Sequence, residues 1–178
     1  MKITFIKSAT KTGSFIGDSY KMEYLVNLRN GEIAKFQYQD FSSKIYWGDR
    51  EITIEPNLKH LTIIDYDIKE DGALIGKIKK SSWTHINTTI EISNSEIFKF
   101  NKITTGLFNN LFSSSNNSFQ ILNSKESIKY NFHKGEYFKN HWNGNRYKKI
   151  KGEIELQENN LLVALTGLLL IELMLMEE

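Results

Sequence analysis

The run Leu161-Leu-Val-Ala-Leu-Thr-Gly-Leu-Leu-Leu-Ile-Glu-Leu-Met-Leu-Met176 constrains this chain more than any other stretch. Leu, Met and Ala are strong helix formers and the run holds no Pro, so it reads as a helix. Its apolar residues do not keep to one stripe. Leu168, Leu169, Leu170 and Ile171 point in every direction, and a helix apolar all round must be buried in protein or in lipid. At 1.5 Å per residue it spans roughly 24 Å, short of the ~30 Å hydrocarbon core of a bilayer. Glu172 would cost about 2.5–3.5 kcal/mol at mid-bilayer. Asn159, Asn160, Glu177 and Glu178 flank the run without the basic or aromatic anchors of a span. Burial inside protein is the favoured reading, and the rest of the chain must then surround a helix.

Ahead of this run the apolar period is two. Strands are expected over Ile3–Lys7, Tyr20–Leu28, Glu32–Phe41, Lys44–Gly48, Glu51–Glu55, Lys59–Lys69 and Ala73–Lys79. Further strands are expected over Trp83–Ile92, Glu96–Lys102, Phe119–Leu122, Ser127–Phe132, Glu136–Lys139 and Arg146–Leu156. Thr12-Gly-Ser14 reads as a turn, Arg29-Asn-Gly31 as a hairpin turn, and Asp71-Gly72 as another. Leu107, Phe108, Leu111 and Phe112 suit one short helical turn before the loop Ser113–Asn117. Asn159 or Asn160 can cap the final helix. Many short antiparallel strands mean a sandwich or a barrel. A closed wall of eleven or twelve strands has room for a helix along its axis. The fold expected is therefore mainly β, a closed antiparallel barrel of about twelve strands around a buried hydrophobic C-terminal helix. One domain covers 1–178, with the wall over 1–156 and the helix over 158–178.

That architecture resembles the fold shared by tubby C-terminal domains, phospholipid scramblases and LURP-one-related proteins, small bacterial members included. Val163-Ala-Leu-Thr-Gly-Leu-Leu-Leu-Ile-Glu-Leu-Met-Leu-Met-Glu177 is similar to the scramblase terminal helix, with its Ile-acid pair, following Met and closing acid. Tyr66-Asp-Ile-Lys-Glu-Asp-Gly72 followed by Ile75-Gly-Lys-Ile78 looks like a hairpin of the same group. The resemblance implies a non-enzymatic barrel and raises phosphoinositide or other anionic lipid as a ligand. It does not carry calcium activation across, because Lys148-Lys-Ile-Lys-Gly-Glu-Ile-Glu155 is mixed and mostly basic where scramblases are acidic. The Cys cluster and Pro-rich tail of scramblases are absent as well.

The residues themselves exclude several chemistries. With no Cys there is no disulfide, thiol nucleophile or thiolate metal site. The start Met1–Lys7 lacks the apolar core of a signal peptide. His60, His85, His133 and His141 show no metal-ligand spacing. Asp65, Asp67 and Asp71 suggest a calcium loop, but Lys69 and Glu70 stand where a ligand and a Gly are needed, so a solvated acidic face is expected. Gly13-Ser-Phe-Ile-Gly17 lacks the Lys-Ser/Thr of a phosphate loop. No enzyme, metal or cofactor is expected. A net charge of +2 is too mild to point to nucleic acid.

Charge is nonetheless segregated. Lys125–Lys151 carries eight bases against Glu126 and Glu136, interleaved with Tyr130, Phe132, Tyr137, Phe138, Trp142 and Tyr147. Lys129, Lys134, Lys139, Trp142, Arg146, Lys148 and Lys149 are the candidate lipid- or anion-binding residues, at ~1 kcal/mol per base near an anionic membrane. The alternative is that the aromatics face the central helix and the lysines face water, as strand alternation alone would produce. Leu165, Gly167, Leu169 and Glu172 are the candidate structural residues of the helix. Glu172 is expected near a barrel mouth or beside a base, and Gly167 against a closely approaching wall side chain. A monomer is expected, cytoplasmic or peripheral at the membrane, binding anionic lipid or a protein partner. A purely structural or protein-interaction domain, and a protein anchored by its C-terminal helix, are the rival readings.

Overall fold

Alternation of side chains gives most strands one apolar face, and these faces close around the C-terminal helix. The computed structural model describes residues 1–14, 17–60, 63–80, 88–92, 96–102, 118–133, 150–157 and 160–177. The strands are β1 (Lys2–Ser14), β2 (Gly17–Asn27), β3 (Ile33–Gln39), β4 (Ser42–Trp47), β5 (Arg50–His60) and β6 (Ile63–Glu70). They continue as β7 (Ala73–Lys79), β8 (Thr89–Ile92), β9 (Glu96–Lys102), β10 (Ser118–Leu122), β11 (Ser127–Phe132) and β12 (Ile150–Glu155). One helix follows, α1 (Leu161–Glu177). Each strand pairs antiparallel with its neighbour in sequence, and β1 pairs with β12 from Lys2↔Glu155 to Lys7↔Ile150 to close the barrel. Closure leaves no edge where β1 meets β12.

Several boundaries differ from the sequence reading. Thr12-Gly-Ser14 is not a turn: β1 runs through it, with Thr12 opposite Ser19 and Ser14 opposite Gly17. The strand expected over Glu51–Glu55 is longer and carries Pro56 within β5 opposite Tyr66, next to a register shift between Asn57 and His60. A Pro is tolerated at such an irregularity because the ladder there can forgo its missing N–H. Lys59–Lys69 is not one strand, since His60 pairs with Ile63 across a reversal. β3 ends at Gln39, before Phe41. The helix begins at Leu161, not at 158, and Asn160 ahead of it donates its side-chain amide to Glu126. The strand expected over Glu136–Lys139 and the helical turn at Leu107–Phe112 lie outside the described residues.

The lumen is filled by aromatic and β-branched side chains against α1. Phe100, Phe119, Phe132, Phe5, Tyr24 and Phe36 form a continuous band across six strands, each ring 5.0–6.1 Å from the next. Most of these contacts are tilted or edge-on, the arrangement ring quadrupoles favour. From Leu161 to Leu173 every helical residue is buried except the half-buried Leu162. An all-round apolar helix thus finds a complete apolar sleeve.

The chain's course gives the barrel two unlike ends. β12 delivers the chain to the end where Met1 lies, and the Met1 amino group donates to the Leu156 carbonyl at 2.5 Å. Helix α1 enters there and runs back through the lumen. Connections at this entry end are short, such as Leu28–Glu32, Gly48–Asp49, Asp71–Gly72 and Asn123–Glu126. The connections from β7 to β8, from β9 to β10 and from β11 to β12 all join strand ends at the far end, and they are the longest in the chain.

Gly167 marks where helix and wall come closest. The Tyr130 hydroxyl donates to the Ala164 carbonyl at 2.7 Å, and a Cβ on Gly167 would run into that hydroxyl and the Ile121 side chain. Close approach of the wall, not a hinge, accounts for a helix-weakening residue here. Gly167→Ala should lower stability by about 1–3 kcal/mol through overpacking, despite Ala's better helix propensity. Adding Tyr130→Phe should recover part of the loss in urea melts. An Ala variant as stable as wild type would show that the contact is slack.

Candidate functional site

Strand alternation puts Ile3, Phe5 and Lys7 of β1 on the same inward face, so a lysine follows two core residues into the lumen. Lys7 is 2% exposed and Glu172, near the far end of α1, is 1% exposed. Their Nζ and Oε1 lie 2.5 Å apart. The Tyr24 hydroxyl, from the residue opposite Lys7 on β2, donates to the same carboxylate oxygen. Lys7 Nζ also stands 5.4 Å from the Tyr24 ring centroid, within cation–π range.

Burial and this charge cluster shift the titrating groups. Burial pushes the Lys7 ammonium below its ordinary range, with the Glu172 charge opposing that. Burial, aided by Glu172, raises the Tyr24 phenol well above 10.0. Tyr38, 1% exposed, is pushed up to about 12 by burial first and then by Glu172. The phenols therefore stay protonated and able to donate at any physiological pH. Each charged member is held by another member of the cluster, and the chemistry this supports is anchoring. One salt bridge with a phenol donor helps set the depth and rotation of a helix that is otherwise mostly aliphatic.

The sequence-derived helix residues all lie in this core. Leu165 and Leu169 are fully buried, Gly167 meets Tyr130 and Ile121, and Glu172 meets Lys7 and Tyr24. Of the lipid-binding candidates, Lys129 is exposed on β11 opposite Glu155. Lys134, Lys139, Trp142, Arg146, Lys148 and Lys149 lie outside the described residues, in the stretch that joins β11 to β12 at the far end. His133 is exposed and its Nε2 is 3.7 Å from Glu153. His85 and His141 lie outside the described residues, as does the His60 side chain. Asp65 and Asp67 sit on the outer face of β6, and Asn57 donates to Asp67 at 2.9 Å. Among the described residues no cluster of acids and histidines could hold a metal ion.

The outer wall is laced with cross-strand ion pairs. Lys2–Glu153, Lys35–Glu23, Lys44–Glu51, Lys69–Glu55 and Lys79–Glu91 lie at 2.6–2.9 Å, and Arg50 pairs with Glu70. Three of them take up Glu51, Glu55 and Glu70. Sequence reading missed Lys7, Tyr24 and Tyr38. The signal for Lys7 was present, because Ile3, Phe5 and Lys7 are in phase.

No protein-family model matches the chain, and no match to it was found among curated proteins or solved structures. Among the described residues no helix is long and apolar enough to cross a membrane.

Two outcomes test the cluster. Lys7→Met leaves a buried carboxylate without its cation and should lower stability by about 3–5 kcal/mol. Lys7→Met with Glu172→Leu should be much less damaging than the sum of the two changes, as a double-mutant cycle would read. Additive losses would mean that the two groups do not interact. The second outcome concerns alkaline pH. Tyr38 has a folded-state pKa raised from 10.0 to about 12, so its contribution is complete below pH 10 and is lost as pH rises through about 12. Lys7 acts oppositely, because a lowered pKa lets stability rise with pH below 10.5. Wild type minus Tyr38→Phe, in urea midpoints from pH 9 to 12 (a range chosen roughly around these values), should isolate a fall above pH 10. A flat difference would refute the Tyr38 assignment.

Proposed function

We propose that this chain is a non-enzymatic barrel that docks through its far end on an anionic membrane surface, as a cytoplasmic monomer peripheral to the bilayer. Kinship with the tubby, LURP-one-related and scramblase group belongs to the same proposal and rests on the helix and hairpin residues quoted above. The observation that carries the reading is connectivity. Residues 134–149 join β11 to β12 at the far end, and this run holds Lys134, Lys139, Arg146, Lys148, Lys149 and Trp142. Connections raised on a rigid scaffold are where binding residues concentrate. The wall offers a weaker alternative, since its cross-strand salt bridges already match many of its charges.

At ~1 kcal/mol per base, five such residues near an anionic leaflet supply on the order of 5 kcal/mol, enough for reversible attachment. The attraction falls off within a Debye length of about 10 Å at 0.1 M salt, so it is salt-sensitive. Co-sedimentation with phosphatidylcholine vesicles, with and without phosphatidylserine, tests this. Binding is expected only to the anionic vesicles and should weaken as salt is raised. Lys148→Glu with Lys149→Glu should reduce it at least ~10-fold. Equal binding to both vesicle types, or to neither, would overturn the proposal.

A further inference from the structure

We infer that Phe41, at the tip of the β3–β4 turn, is a membrane-inserting residue that seats the far end of the barrel in the headgroup region of an anionic bilayer. The inference rests on the membrane-docking reading above and adds an apolar contact from among the described residues. β3 and β4 are joined by Asp40 and Phe41 alone, with Gln39 paired to Ser42. Both turn residues have positive φ, 50° and 66°. Hairpin turns of this kind ordinarily carry Asn, Asp or Gly, because a bulky side chain with positive φ is strained. Elsewhere the described chain keeps to that rule, with positive φ at Gly31, Gly48, Asp71 and Gly72. Phe41 is the departure, and its side chain is 57% exposed.

The fold gains little from a strained, mostly exposed aromatic, yet it holds that residue firmly. Ser42 Oγ donates to the Gln39 carbonyl at 3.1 Å, and Gln39 Nε2 donates to Asp40 at 3.2 Å. Backbone strain held in place by its surroundings is a mark of function, not of folding. A single convex aromatic suits a deformable interface, where aromatic side chains settle at the headgroup level. Phe41 also lies at the end to which the basic run 134–149 is joined. Asp40 beside it is exposed and opposes an anionic surface, so apolar insertion has to come from Phe41.

The test compares wild type, Phe41→Gly and Phe41→Trp on phosphatidylcholine vesicles with and without phosphatidylserine. Phe41→Gly relieves the strain, so its melting temperature should not fall, while its affinity for anionic vesicles should drop about tenfold. Phe41→Trp should bind like wild type and show a vesicle-induced blue shift in emission larger than that of wild type. If Phe41→Gly lowers the melting temperature, Phe41→Asn, which also accepts positive φ, takes its place in the comparison. Wild-type affinity in the Gly or Asn variant, or no extra shift in the Trp variant, overturns the inference while leaving the docking reading intact. No anionic-vesicle binding by wild type overturns both.

Discussion

A helix with apolar side chains in every direction has no solvent-facing side, and the rest of this fold answers that constraint. A two-layer arrangement would leave part of α1 in water, and a barrel of eight strands would leave no lumen for it. Twelve strands close around it and bury nearly all of its residues from Leu161 to Leu173. The helix and the wall are therefore mutually dependent: the lumen without α1 would be a large apolar void, and α1 without the lumen would be an aggregation-prone segment.

Apolar enclosure alone does not say how deep the helix sits or which way it faces. Leu168, Leu169, Leu170 and Ile171 could exchange places by rotation at small cost, since hydrophobic attraction is non-directional. Two directional features remove that freedom. The gap at Gly167 accepts the Tyr130 hydroxyl, and Glu172 meets Lys7 and Tyr24. They lie more than a turn apart along α1, so together they define both depth and rotation. The buried pair adds little net stability, because desolvating two charges offsets most of their attraction. Its contribution is the selection of one arrangement among several of similar energy.

The same physics explains what could be read from the sequence. Fold class followed from α1 plus the period-two pattern, because those signals are summed over many residues. Turns were legible where Gly or Asn supplied the conformation, as at Asn30-Gly31 and Asp71-Gly72. They were misread where chemistry and conformation part. Asp40-Phe41 turns with a turn-former at only one of its two positions, and Thr12-Gly-Ser14 stays extended despite its composition. The strand expected over Glu51–Glu55 stops short of Pro56, yet β5 continues through it beside a register shift. Of the ionic cluster, Glu172 was visible as a lone acid in an apolar run. Its partners come from the other end of the chain, and pairing across 165 residues depends on the barrel's closure, which local patterns do not encode.

That closure also divides the labour between the two ends. At the entry end, short turns and the Met1–Leu156 contact hold the strands where the helix comes in, and Gly fits those turns without strain. At the far end the chain spends its long connections and its one strained aromatic turn, next to the only charged anchor of the helix among the described residues. If the far end docks on a membrane as proposed, its conformation is set by more than folding alone. The strain at Phe41 is tolerated because the ladder pair Gln39–Ser42 and the turn's own hydrogen bonds hold it. Stability is supplied at one level of the barrel so that conformation can be set by another requirement at its rim.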